Sequence, residues 1–133
     1  MNTKRFIAAS VTLFVFIYIY ESVVHGVLLS PLYQETSNIW RSYNEMMAFM
    51  PFNITKIALI SFWITFFFAS LFKERGRKKG ILFGMYVGVL VGIQSTGAYF
   101  YLPISFTLAM LWFAVNFVEY TVGGLIIGSI YRD

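Results

Sequence analysis

Four long apolar blocks, separated by short polar breaks or a proline, decide most of what this chain can become. They run over residues 6–28, 54–72, 80–102 and 104–131. Hydrocarbon offers an amide no partner, so a segment entering it must satisfy its own hydrogen bonds. A helix of about 20 residues does this while crossing a core of roughly 30 Å. The other membrane architecture, a β-barrel, needs alternating segments of about ten residues, and runs such as FVFIYIY and ITFFFASLF do not alternate. The expected fold is all-α, a bundle of four transmembrane helices forming one integral membrane domain over residues 1–133.

Charge is scarce and unevenly placed. Charged residues make up 12% of the chain, about half the usual share. The net charge of +4 gathers at span ends and forms no stripe, which argues against a nucleic-acid partner. The absence of cysteine excludes disulfides, thiolate metal sites and cysteine nucleophiles. Lys4 and Arg5 precede the first block as they would in a leader peptide. No small-x-small cleavage site follows around Glu21 to Gly26, so the block reads as a retained span.

Eight of the ten basic residues, Lys4, Arg5, Lys73, Arg75, Arg77, Lys78, Lys79 and Arg132, fall on one side of four crossings. Arg41 stands on the other side, offset by Glu35 and Glu45. Basic residues concentrate on the cytoplasmic side, so both termini are expected there, in the cell's cytoplasmic (inner) membrane. Lys56 lies near the outer end of the second span, where its ammonium is expected to snorkel to the headgroups.

The 31–53 connection is the longest stretch between spans. Ile39, Tyr43, Met46 or Met47, and Met50 recur at helical spacing, with Asn38, Arg41 and Glu45 on another side. This predicts a short amphipathic helix on the outer membrane surface, with Trp40 and Tyr43 at headgroup level and an Arg41–Glu45 i,i+4 pair. Asn53 is expected to cap the second span, and Pro103 to open the fourth.

The clearest pattern is Gly80, Gly84, Gly88 and Gly92, continued by Thr96. Steps of four put them on one face, stripped of side chains, which lets another helix approach closely. Gly124 and Gly128 form a shorter patch on the fourth span, in register with Asn116 and Tyr120. The third-span face is expected to meet another helix; the fourth span, the first span and a second subunit are the alternatives.

Ionisable groups inside spans are functional candidates, because a charge there costs several kcal/mol, about 2.5–3.5 on translocon scales. Glu119, near the middle of the fourth span, is the first. A carboxyl that can be neutral or charged suits a proton carrier or a cation site, and Asn116 one turn away is placed to donate to it. Glu21 and His25, spaced i,i+4 on the first span, are a second candidate pair in which the carboxylate accepts from the imidazole. Gln94 falls at a similar depth, so Glu21, His25, Gln94, Asn116 and Glu119 are candidates for one internal network. No E-x-x-H or H-x-x-x-H arrangement points to metal. No serine elbow or phosphate-cradling loop points to an enzyme or a soluble cofactor, so neither catalytic residues nor cofactors are assigned.

A small four-span chain with a carboxylate, Glu21, in its first span resembles the small multidrug resistance transporters. That resemblance implies exchange of protons for hydrophobic cations at Glu21. The long outer connection and one-sided charge depart from that pattern. The stretches ESVVHGVLLSPLY and NIWRSYNEM also resemble small prokaryotic four-helix membrane proteins of unknown function, which imply no activity. Three classes stay open: a transporter or ligand-binding protein for a hydrophobic or cationic small molecule, an accessory subunit of a homo-oligomer or larger membrane complex, and an enzyme acting on lipid. Membrane lipids are partners in every case.

Overall fold

The computed structural model describes residues 2–132, and among them there is helix and no strand. In chain order the helices are α1 (Thr3–Val23), α2 (Ser30–Gln34), α3 (Tyr43–Ala48), α4 (Met50–Leu71), α5 (Arg77–Thr96) and α6 (Phe106–Ile130). A wide turn of π type over Val24–Leu28 extends α1, and single tight turns occupy Ser37–Ile39 and Gly97–Phe100. Four helices, Thr3–Leu28, Met50–Leu71, Arg77–Phe100 and Phe106–Ile130, are long and apolar enough to cross a membrane. Their outward faces carry large apolar side chains left open, among them Ile19, Trp63, Leu71 and Leu90. An aqueous bundle would bury such groups, whereas lipid accepts them.

Each helix contributes a narrow inward stripe. On α1 it is Phe6, Ala9, Leu13 and Ile17, and on α4 it is Ile57, Ser61, Thr65, Phe68 and Ala69. The Ser61 and Thr65 hydroxyls cause no loss in the core, because each donates to the carbonyl one turn back, at 2.8 Å. One apolar cluster joins all four spans, running from the end that carries the chain termini, with Phe6, Phe68, Phe83, Ile127 and Tyr131, past the middle of the bundle to Ile17 and Ile57. The terminal end is fastened directly: the Asn2 amide donates to the Tyr131 hydroxyl at 3.1 Å, and the Arg5 guanidinium donates to the Arg132 carbonyl. A second cluster joins α1 to α6 at the far end and is covered by residues 29–40, with Leu29, Leu32, Tyr33 and Trp40 folded over Leu108 and Trp112.

The α5–α6 seam is the closest contact in the molecule. A Cβ at Gly80 would lie 2.2 Å from the Gly124 carbonyl oxygen, one at Gly84 would lie 2.1 Å from that of Tyr120, and one at Gly124 would lie 2.1 Å from that of Gly80. Gly88 meets the Phe117 backbone, Gly92 meets the Phe113 ring, and Gly128 meets the Gly76 carbonyl. Backbone packs on backbone, the arrangement that small residues allow in hydrocarbon. Of the three partners open to the glycine face, α6 is the one it meets. The Asn116 amide adds a bond to the Ser95 hydroxyl at 3.2 Å across the same seam. By contrast α4 and α5 meet near the terminal end, through the Phe68 and Phe72 rings on Phe83.

Several boundaries differ from the sequence expectations. The second span begins at Met50 with Pro51 in its first turn, so Asn53 sits inside the helix and does not cap it. The fourth begins at Phe106, where the Ser105 hydroxyl accepts from the Leu108 amide at 3.1 Å; Pro103 lies before it. In the long connection the backbone is extended at Trp40 and Ser42, so the helical spacing from Ile39 onward does not make one helix. Ser42 instead opens α3 with a reciprocal cap: its hydroxyl accepts from the Glu45 amide, and Glu45 accepts from the Ser42 amide at 2.9 Å. This local ring displaces the Arg41–Glu45 pair. Hydrogen bonds from Ser42 hold the Glu45 carboxyl below its ordinary value, with Arg41 a lesser influence, while the Arg41 guanidinium lies over the Phe49 ring at 4.9 Å. Trp40 is turned inward, its indole donating to the Thr36 hydroxyl at 3.1 Å.

Candidate functional site

Glu119 is the residue whose surroundings least explain it. It lies on the α6 face that carries Val115 and Gly123, spaced one turn apart. The Val115 carbonyl accepts from the Tyr20 hydroxyl at 2.9 Å, and Gly123 lies against Leu13. Glu119, between them, therefore faces the Leu13–Tyr20 stretch of α1. It is 2% exposed, and among the described residues its Oε1 has no hydrogen-bond partner. Asn116 does not serve it: that amide donates to the Trp112 carbonyl at 2.7 Å and to Ser95. An ionised carboxylate so placed lacks compensation, and either a proton or a cation supplies it.

The charged groups whose fields reach Glu119 are Glu21 and Lys56. These two pair across the α1–α4 boundary, with the Lys56 ammonium 3.6 Å from Glu21 Oε2. Lys56 is half exposed, so the pair contributes about 1 kcal/mol or less to stability. With both carboxylates ionised the three groups carry one net negative charge. One proton or one external cation balances them.

His25 is not the partner of Glu21. The wide turn at Val24–Leu28 is closed by a Leu29 amide bond to the Val24 carbonyl, five residues back, at 2.8 Å. It leads the chain into α2 so that the Tyr33 hydroxyl meets His25 Nδ1 at 2.6 Å and the Trp112 indole at 2.7 Å. An indole N–H only donates, so Tyr33 accepts from Trp112 and is left with one hydrogen for Nδ1. A neutral His25 then carries its own proton on Nε2. Burial pushes the Tyr33 phenol up, offset in part by the Trp112 bond, so it stays a hydroxyl. Tyr33→Phe should leave two ring nitrogens without partners and cost about 1 kcal/mol. Thermal unfolding in detergent measures this, and an unchanged midpoint would rule out the Trp112–Tyr33–His25 hydrogen bonds.

Glu21, His25, Tyr33 and Trp112 line a cleft of about 1140 Å³ that also takes in Arg41, Met46, Phe49 and Ile57. It lies between the far halves of α1 and α4 and the 30–50 connection. Gly26 is on its wall, with no atom within 4 Å of a Cβ placed there. Thus Glu21 acts on Glu119 through its field, without a hydrogen bond between them, and His25 lies on the cleft with Glu21. The structure does not bring in the other two candidates. Gln94 is exposed on α5, and Asn116 is spent on the α5–α6 seam. Among the described residues no group of three or more His, Asp or Glu side chains is arranged to hold a metal ion.

Sequence reasoning missed three participants. Lys56 was readable, since a lysine inside a span demands a counterion at its own depth. Tyr33 and Trp112 carried no such signal, because their meeting depends on how residues 29–40 fold back. No family model, no curated protein and no solved structure matches this chain.

Proposed function

We propose that this protein binds a hydrophobic or cationic small molecule in the α1–α4 cleft and exchanges it against a proton held by Glu119, as a small transporter or membrane-embedded binding protein. The observation that carries the reading is the buried carboxyl oxygen of Glu119, without a hydrogen-bond partner among the described residues, in the field of a Glu21–Lys56 pair whose Glu21 lines the cleft. A cation entering the cleft competes with Lys56 for Glu21. The added positive charge favours release of the Glu119 proton, and by linkage loss of that proton favours the cation to the same degree.

The same reading sets the protein in the cytoplasmic membrane. Its eight-residue basic end faces the cytoplasm, and the cleft faces outward. There α3 lies along the outer surface, with its exposed Tyr43, Met46 and Met47 among the headgroups. The alternatives have weaker support. An accessory subunit that docks through a free glycine face finds that face taken by α6. An enzyme using Glu21 and His25 as an acid–base pair finds each bonded elsewhere, to Lys56 and Tyr33.

The test is to fill the cleft without disturbing the bundle. Gly26→Phe places a ring where nothing stands within 4 Å of the Cβ. Equilibrium binding of a hydrophobic cation such as tetraphenylphosphonium to the purified protein should weaken about tenfold or more. Equal affinity in the two proteins would refute the cleft as the binding site.

A further inference from the structure

A second pocket, of about 500 Å³, lies at the terminal end and plays no part in the proposal above. Among the described residues five cationic side chains line it, Arg75, Arg77, Lys78, Lys79 and Arg132, with Glu74 as the one acid. Its frame is fastened on several sides. Gly76 turns the chain with φ +146, a conformation that suits glycine alone. The Gly76 carbonyl accepts from the Gly80 amide at 2.8 Å, and a Cβ at Gly128 would come within 2.5 Å of that same oxygen. The Arg75 guanidinium donates to the Ala69 carbonyl at 2.8 Å and lies 5.2 Å over the Tyr131 ring. The 72–76 turn is thus held against the end of α6, and like charges are kept close in a fixed concavity. An anion bound among Arg77, Lys78, Lys79 and Arg132 would relieve their mutual repulsion.

The pocket sits where α4 ends and α5 begins, the level at which lipid phosphates lie. Below it Leu71 and Leu82 leave apolar surface exposed, along which acyl chains can run. We propose that this pocket binds a phosphate group, that of an anionic phospholipid in the leaflet at the basic end. Basic pockets between spans favour such headgroups, and each lysine or arginine near the surface contributes about 1 kcal/mol. Lys78 and Arg132 hold the phosphate as charge-assisted donors, and the α4–α5 turn is the element that the lipid steadies.

The experiment uses the full chain in phosphatidylcholine nanodiscs doped with phosphatidylglycerol, and it reads lipid retention by native mass spectrometry with exchange. Retention of phosphatidylglycerol over phosphatidylcholine should fall about tenfold in the double variant Lys78→Gln, Arg132→Gln. The loss should be several-fold smaller in Lys4→Gln, Lys73→Gln, which removes equal charge at the same end but outside the pocket, so that only the diffuse attraction falls. All four side chains are exposed, and circular dichroism checks that both variants stay helical. Equal losses in the two variants, or no preference for phosphatidylglycerol in the parent, would overturn the pocket and leave diffuse attraction. A titration with inorganic phosphate in undoped discs separates the sources. Phosphate binding that depends on Lys78 and Arg132, without any lipid preference, keeps the phosphate chemistry but overturns its assignment to lipid.

Discussion

Replacing Gly84 with leucine should lower the unfolding midpoint of the detergent-solubilised protein by roughly 10 °C or more. Where an oversized side chain meets other side chains, rotamers shift and the cost is about 1–3 kcal/mol. At Gly84 the obstacle is the Tyr120 carbonyl oxygen, 2.1 Å from the new Cβ, with Thr121 Cα 3.0 Å away. No rotamer relieves that. The two helices must part, and contacts on both sides of the wedge go with them, so the loss should reach about 3 kcal/mol or more. Gly97→Ala is the matched control, since a Cβ there meets nothing within 4 Å, and it should be nearly silent. A Gly84→Leu protein melting within about two degrees of the parent would show that the seam does not form.

The second large effect belongs to Glu119→Gln. The amide keeps the shape and loses the titrating proton, so the bundle should remain folded with its stability changed by about 1 kcal/mol or less. Binding should respond differently. If cation binding releases one proton, affinity in the parent rises with pH by up to about tenfold per unit across the range in which that proton is lost. In Glu119→Gln that slope should vanish. Glu21, His25 and Lys56 all remain in the variant, so a slope that survives unchanged would assign the proton to one of them and end the role given to Glu119. Titrations of a hydrophobic cation at several pH values measure the difference directly.

Much of the fold could be read from the chain because lipid imposes one rule over long stretches. The apolar blocks at 6–28, 54–72, 80–102 and 104–131 return as four helices whose ends shift by a few residues. The glycine steps from Gly80 to Gly92 return as a seam because a face with no side chains has one use, close approach. Ends and connections followed local rules that compete with periodicity. Ser42 and Glu45 closed a cap where spacing alone had suggested a continuous helix, and Ser105 took the capping role ahead of Phe106. The polar residues were legible as individuals and illegible as a set. Glu119 was marked by the cost of its burial, whereas the partners of Glu21 and His25 depended on Lys56 from another span and on Tyr33 from a segment that doubles back. Depth along a span can be counted from sequence, but rotation about its axis cannot. Gln94, at the right depth and pointing outward, shows the difference.

The glycine seam also governs which parts of the molecule can move. A joint made largely of backbone against backbone leaves few side chains to re-pack, so α5 and α6 are expected to travel as one stiff beam. Across the bundle, α4 rests on α1 through side chains and one half-exposed ion pair, and its outer surface carries the exposed rings of Phe62, Trp63 and Phe67. On the function proposed above, the breathing that admits or expels a guest is expected to be a swing of α4 with its adjoining outer connection, about the Phe68, Phe72 and Phe83 contact near the termini.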